Sequence, residues 1–79
     1  MYKMVELEKK IINFIGKRGL FAKVIDYDIE SEFELTGMEL NEVMDSLYKD
    51  KCLVRRTKLD NGSFQYQLSF DGIDAYDAM

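Results

Sequence analysis

The sequence predicts a small α+β fold, with three helices, a C-terminal β-hairpin and a short final helix in a single domain that spans residues 1–79. Three observations predict it: helical spacing of apolar residues across Tyr2–Lys17, a capped helix pattern that begins at Leu35, and the dipeptide Asn61-Gly62 between two alternating stretches. Helical spacing indicates a helix with one buried face, and alternation indicates a strand. A chain of 79 residues is near the lower size limit for a self-sufficient hydrophobic core.

The first helix is predicted over Tyr2–Lys17. An apolar stripe along it would face the core, and the lysines off that stripe would be solvated. Either Gly16 or Gly19 would end the helix, because glycine adopts the left-handed conformation that other residues avoid. The stripe consists of Met4, Leu7, Ile11 and Phe14, widened by Val5, Ile12 and Ile15.

The segment Leu20–Glu34 has two interpretations. From Asp26 onward, acidic residues alternate strictly with other residues, which favours a strand with an acidic outer face. The apolar residues of the segment also fit a short helix that Asp26 or Asp28 would cap. Those apolar residues are Val24, Ile25, Ile29 and Phe33.

A further helix is predicted over Leu35–Asp50. Thr36 and Glu39 have the spacing of a capping box, in which each side chain accepts a hydrogen bond from the other residue's backbone N–H. Leu35 and Leu40 have the spacing of a hydrophobic staple around that cap. The predicted buried stripe consists of Leu40, Val43, Met44 and Leu47.

On the exposed side of this helix, Asp45 and Lys49 are four residues apart. Opposite charges at that spacing are neighbours on a helix surface, so we expect an ion pair between them.

A β-hairpin is predicted around Asn61-Gly62, which suits a two-residue type I′ turn because both positions need positive φ. That turn fixes the register and gives one apolar face and one polar face. Arg56 and Lys58 would share the polar outer face. The predicted pairs are Leu59–Phe64, Thr57–Tyr66, Arg55–Leu68 and Leu53–Phe70 on one face, and Lys58–Gln65 and Arg56–Gln67 on the other.

The second strand is expected to close at Asp71 and Gly72. Ile73, Tyr76 and Met79 then recur every three residues, which indicates a short final helix.

The net charge of −4 conceals four bands of charge. Residues 1–23 hold six basic and two acidic side chains, whereas residues 24–50 hold nine acidic side chains and one lysine. Residues 51–59 hold four basic side chains, and residues 60–79 hold four acidic ones. Such banding bears on the choice of partner more than the total charge does.

Several protein classes are disfavoured. No apolar run exceeds four residues, which is too short for a membrane span, and no secretory leader is expected. Cys52 is the only cysteine, so an internal disulfide is impossible and a cytoplasmic location is expected. We expect Cys52 to be a buried small hydrophobe.

The residues for catalysis or metal binding are missing as well. The chain has no histidine, the commonest general base and metal ligand, and no phosphate-binding loop or nucleophile motif. The acidic alternation does not fit a calcium loop, because Ser31 and Gly37 stand where glycine and the closing glutamate are needed. We therefore expect no enzyme activity, no cofactor and no metal.

Two stretches of the chain are LTGMELNEVMDSLYKDKCLVRR and YQLSFDGIDAY. The first resembles the recognition helix and first wing strand, and the second resembles the closing pattern, of the winged helix-turn-helix family of small bacterial and archaeal DNA-binding regulators. The resemblance implies a short strand near Leu20–Ala22 and a brief helix near Tyr27–Phe33. Cys52 departs from the glycine that usually ends the recognition helix in this family.

In that family the third helix enters the major groove and the tip of the hairpin, the wing, touches the flanking backbone or minor groove. The resemblance therefore implies groove-facing positions Met38, Glu39, Asn41, Glu42, Asp45 and Lys49, and wing positions Arg56, Lys58, Asn61 and Ser63. The expected DNA-binding residues among them are Asn41, Lys49, Arg56, Lys58 and Asn61.

Two functions follow as alternatives. The first is a transcription regulator-like protein that binds double-stranded DNA mainly through phosphate contacts of the basic wing, with a homodimer through the C-terminal helix. The second is a protein-interaction module that docks the acidic face of its second and third helices onto a basic protein surface. The acidity of the third helix weighs against the first function, because phosphate contacts require Lys and Arg.

Overall fold

A computed structural model describes residues 5–79 and confirms the α+β class. The predicted first helix begins at Glu6 within this part, and its predicted residues 2–4 lie outside the described range. In chain order the elements are α1 (Glu6–Arg18), β1 (Val24–Ile25), α2 (Asp26–Phe33), α3 (Gly37–Asp45) with a π-helical last turn (Ser46–Asp50), β2 (Val54–Lys58), β3 (Phe64–Leu68) and α4 (Phe70–Asp77).

The three strands form an antiparallel sheet in the order β1-β3-β2. Helices α1, α2 and α4 all contact the central strand β3, and α3 packs on α2. Apolar side chains from every helix and strand fill the space between them. The fully or almost fully buried ones include Ile11, Ile12, Ile15, Ile29, Leu40, Met44, Leu47, Leu53 and Tyr66.

Gly19 rather than Gly16 ends α1, with a φ of 140°. Gly16 lies inside the helix and is buried, because the ring of Tyr76 on α4 packs directly on its Cα. A methyl group at Gly16 would overlap that ring. The close approach of α4 to α1 therefore depends on a residue without a side chain.

The helical interpretation of the acidic segment is confirmed, and the strand interpretation is wrong. Asp28 accepts a hydrogen bond from the Ile25 backbone N–H at 3.2 Å, which closes the first turn of α2. The expected strand near Leu20–Ala22 is displaced to Val24–Ile25. Val24 is fully buried opposite Tyr66, whereas Leu20 is exposed, so burial selects the later pair of residues.

The capping box of α3 is confirmed. The Thr36 hydroxyl accepts from the Glu39 N–H at 3.1 Å, and the Glu39 carboxylate accepts from the Thr36 N–H at 3.0 Å. Five residues at the other end form a wider π-helical turn, in which the Lys51 N–H donates to the Ser46 carbonyl at 3.0 Å. Such a turn is uncommon within helices and is frequent at functional sites.

Cys52 itself takes the left-handed conformation after this turn, with a φ of 56°. Its side chain is exposed, so the expectation of a buried cysteine is wrong. The reversal lets the Leu53 N–H donate to the Leu47 carbonyl at 2.8 Å and directs the chain into β2.

The hairpin is confirmed, but its predicted register is wrong by one residue. Arg56 lies opposite Tyr66 and Lys58 lies opposite Phe64. The loop holds three residues, 60–62, because the Leu59 N–H bonds to the Ser63 carbonyl at 2.8 Å and only Gly62 within the loop has positive φ. A three-residue loop with glycine in the left-handed position is the next commonest hairpin connection after the two-residue turns.

The final helix begins earlier than expected. The Ser69 hydroxyl caps α4 by accepting from the Gly72 N–H at 3.0 Å, so Asp71 and Gly72 lie in the first turn of the helix and not in the strand. Gly72 packs against the backbone carbonyl of Leu53, where a methyl group would overlap the oxygen.

Candidate nucleic-acid interface

The exposed face of α3 carries one side chain suited to reading a base, Asn41. A side-chain amide both donates and accepts hydrogen bonds, and so matches the edge of adenine. Met38 is 74% exposed beside it, and Glu42 is exposed on the same helix.

Glu39 has a structural role within this face. Its carboxylate accepts the Thr36 N–H, and the hydrogen bonds from the Thr36 backbone and hydroxyl hold the pKa of Glu39 below its ordinary value. The charge is therefore directed at the N-terminal end of α3, where a helix favours an anion.

Arg56 joins the wing to α3. Its guanidinium donates to the Asp45 carboxylate at 2.7 Å. Asp45 therefore pairs with a residue of β2, and the expected pairing with Lys49 is wrong. The same guanidinium lies 4.4 Å from the ring centroid of Tyr48 and 4.5 Å from that of Phe64. A planar cation between two aromatic faces and a carboxylate is held in one orientation.

The expectation that Arg56 and Lys58 occupy the polar outer face is therefore wrong, because both lie on the side of the sheet that Tyr66 faces. The one-residue change of register turns Arg56 toward Tyr66 and α3, and leaves its side chain 17% exposed. Arg55 takes the outward position instead, opposite Gln67. Sequence reasoning missed Arg55 because its assignment depended on the register.

The tip of the wing presents Lys58 and Asn61, both exposed. The Asn61 Oδ1 accepts from the Ser63 N–H at 2.9 Å, which fixes the turn. Lys49 is also exposed, in the π-helical turn at the end of α3. Four of the five expected contact residues thus lie on the wing or at the helix end, and the fifth, Asn41, lies on α3.

A second ion pair fixes the other side of α3. The Lys51 Nζ donates to Oε1 of Glu8 at 2.6 Å, and Glu8 is only 2% exposed on α1. Burial alone raises the pKa of Glu8, but the hydrogen bonds from Lys51 and from the Val5 N–H outweigh it and lower that pKa. These two residues are 43 positions apart in sequence, and no local pattern indicates their pairing.

Tyr66 lies beneath the Arg56 pair. Burial, together with the charge of Asp26, raises the pKa of Tyr66 to about 12. Asp26 also accepts from the Phe64 N–H at 2.9 Å, and so ties the start of α2 to the end of the wing.

Two negative findings concern the described residues only. Within residues 5–79, no group of three or more acidic or cysteine side chains is arranged to hold a metal ion. No helix in that range has both the length and the apolar character needed to cross a membrane.

No protein-family model matches the chain, and no curated protein matches its sequence. Solved structures do match. RosR of H. salinarum superposes with a TM-score of 0.83 at 23% identity, over 96% of this chain and 70% of RosR. MepR, a transcription regulator of the Staphylococcus aureus multidrug efflux pump MepA, gives 0.78 at 15% identity, over 96% of this chain and 55% of its own.

ZitR of Lactococcus lactis, a zinc-responsive MarR family member, gives a TM-score of 0.79 at 10% identity, over 96% of this chain and 51% of its own. The chain thus spans about half the length of MepR and ZitR. At these identities the likeness is one of fold, and it confirms the winged helix-turn-helix architecture.

Proposed function

We propose that this chain binds double-stranded DNA as a transcription regulator-like winged-helix protein. The observation that carries the proposal is the Arg56–Asp45 ion pair, which fixes the wing against α3. Two elements held in one relative orientation can meet a groove and the adjacent backbone at the same time, as winged helices do. Membership of the same fold as MepR, a transcription regulator, supports the proposal, and a cytoplasmic location accords with it.

In this proposal Asn41 reads bases, and Lys49, Lys58 and Asn61 contact the backbone. Arg56 belongs to the same interface, chiefly as a positioning residue, because its guanidinium already bonds to Asp45. Arg55 joins the interface as an additional exposed cation.

The test is a titration of mixed-sequence duplex at low salt, repeated as the salt concentration rises. Affinity should fall linearly on a log–log plot, and Lys58→Gln should reduce the slope by about 0.9, the contribution of one phosphate contact. Lys10→Gln, an equal charge change at an exposed position of α1, is the matched control and should leave the slope unchanged. Absence of binding at low ionic strength would contradict the proposal.

A second candidate function is favoured by the acidic surface of α2 and α3. Glu32, Glu34 and Glu42 are exposed there, and their charge suits a basic protein surface. Glu42→Lys should abolish binding of a basic partner protein, while Asp77→Lys on α4 serves as control. Asp45 is unsuitable for this test, because its substitution would also break the pair with Arg56.

Dimerisation through the C-terminal helix is a further part of the proposal. Met79, at the end of the α4 segment, is 55% exposed. Sedimentation equilibrium should give twice the chain mass of 9.3 kDa, and Met79→Glu should restore the monomer. A dimer that survives this substitution would exclude the end of this helix as the interface.

A further inference from the structure

The face of the sheet that points away from the helices has an unusual composition for this protein. Val24 and Tyr66 are buried opposite each other, so their neighbours in sequence point the other way. We call this surface the outer sheet face. Its first row is the pair Gln67–Arg55, which Lys23 extends from the position just before β1, and its second row is Ile25–Gln65–Thr57.

The outer sheet face carries two cations and two amides. None of its six positions is acidic, although the chain has 15 acidic residues and a net charge of −4. Lys23 and Arg55 are exposed, and they flank the central strand. Neighbouring strands lie about 4.8 Å apart, so β1 and β2, on either side of β3, are about 10 Å apart. The surface is therefore complementary in charge to a polyanion.

Two exposed aromatic residues neighbour the first row. Phe21 is 66% exposed, and the Gln67 Nε2 donates to its carbonyl at 3.4 Å, which holds the Phe21 backbone beside β3. Phe70 is 70% exposed, and the Arg55 guanidinium lies 5.4 Å from its ring centroid. An exposed phenylalanine ring leaves apolar surface in contact with water and adds little to the core. Both rings are therefore available to a partner.

We propose that the outer sheet face binds single-stranded nucleic acid. Bases stack on Phe21 and Phe70, and Lys23 and Arg55 pair with the phosphates between them. Gln65 and Gln67 hydrogen-bond to base edges, which are accessible in an unpaired strand.

Two alternative partners fit less well. In a duplex the base faces are stacked on one another, so Phe21 and Phe70 would have no base to contact. A lipid surface would bury the amides of Gln65 and Gln67 without hydrogen-bond partners, which is unfavourable. An unpaired strand supplies base faces, base edges and phosphates together.

This surface shares Arg55 with the proposed duplex interface and is otherwise distinct from it. Phe21 and Lys23 precede β1, and neither residue belongs to that interface. The two activities can therefore be separated by substitutions at Phe21 and at Asn41.

The experiment measures fluorescence anisotropy of a labelled mixed-sequence DNA strand of about 12 nucleotides, within the range of known single-strand sites. Phe21→Ala and Phe70→Ala should each raise Kd about tenfold, the effect of losing one stacked base. Lys23→Gln combined with Arg55→Gln should reduce the log–log salt slope by about 1.4, which corresponds to two single-strand phosphate contacts.

Lys10→Gln combined with Lys17→Gln removes the same charge from α1 and is the matched control; its single-strand slope should stay unchanged. Asn41→Ala should leave single-strand affinity unchanged, which separates this site from the duplex interface. Circular dichroism should show all variants folded, because every substituted side chain is exposed or partly exposed.

Unchanged single-strand affinity in both Phe21→Ala and Phe70→Ala would overturn the proposal. Binding of the wild-type protein to duplex alone, or to phosphatidylserine vesicles but not to the single strand, would overturn it as well.

Discussion

The guanidinium of Arg56 bonds to the carboxylate of Asp45 at 2.7 Å and lies between the rings of Tyr48 and Phe64. Four side chains from α3, its last turn, β2 and β3 thus meet at one point. These contacts join the base of the wing to α3 and its last turn.

The interaction between Arg56 and Asp45 should itself stabilise the protein, so the effects of substituting the two residues should not be additive. Asp45→Asn and Arg56→Lys should each lower the free energy of unfolding by about 1 kcal/mol, because Asp45 is partly exposed and water screens the pair. Arg56→Lys keeps the charge but loses the planar stacking on Tyr48 and Phe64. Urea unfolding of both single variants and the double variant gives the coupling energy, and strict additivity would contradict the pairing.

Loss of one partner from the Glu8–Lys51 pair should lower the free energy of unfolding by more, because Glu8 is buried. Lys51→Met should lower the free energy of unfolding by about 3 kcal/mol, since it leaves a buried carboxylate without its cation. Adding Glu8→Gln to that variant should restore part of the loss. A double variant less stable than Lys51→Met would contradict this account.

Stability should also depend on pH through Glu8. The pKa of Glu8 is lowered on folding from an ordinary value of 4.5, because the hydrogen bonds from Lys51 and the Val5 N–H outweigh the effect of burial. The contribution of ionised Glu8 to the free energy of unfolding is therefore fully present above the unfolded-state pKa. That contribution is lost as the pH falls through the folded-state pKa. Denaturant unfolding from about pH 6 down to about pH 3 should show this loss, and Glu8→Gln should flatten the curve. A remaining slope is expected from Glu39, whose pKa is also lowered.

Cys52→Gly should stabilise the protein by about 1 kcal/mol. Cys52 has a φ of 56°, a conformation that costs a residue with a side chain about 1–2 kcal/mol and costs glycine little. Cys52→Ala is the control, because alanine keeps the backbone cost and removes only an exposed thiol. Thermal unfolding of the three proteins distinguishes backbone strain from loss of the thiol, since equal stabilisation by alanine would contradict the strain.

Gly72→Ala should destabilise the protein by about 3 kcal/mol, because its methyl group would overlap the carbonyl of Leu53 and the backbone cannot yield easily. Gly37→Ala makes the same chemical change at the start of α3, where no atom lies within 4 Å of the added carbon. It should be neutral or stabilise by about 0.5 kcal/mol. A similar effect at both glycines would contradict the close approach at Gly72.

The features that the sequence predicts well depend on neighbouring residues. Thr36 and Glu39 are three apart, and their reciprocal hydrogen bonds follow from that spacing. The position of the hairpin likewise follows from Asn61 and Gly62. Their turn type does not, because the dipeptide fits both a two-residue turn and a three-residue loop in which only Gly62 has positive φ.

The features that the sequence does not predict depend on distant residues. Burial of Tyr66 against Val24 decides the register of β3, and this pairing joins residues far apart in the chain. The Glu8–Lys51 pair has the same character. The candidate interface is affected most, because a one-residue error exchanges the faces of Arg55 and Arg56.

The length of one loop thus decides which of two adjacent arginines, Arg55 or Arg56, packs against α3 and which is exposed. With residues 60–62 in the loop, Arg56 is inside and Arg55 is outside. A turn that enclosed only residues 61 and 62 would leave the composition of β2 untouched, yet it would pair Leu59 with Phe64, send Arg55 toward α3 and expose Arg56 to solvent. A change of turn type would therefore exchange the exposed cation of the wing without any substitution at a contact residue.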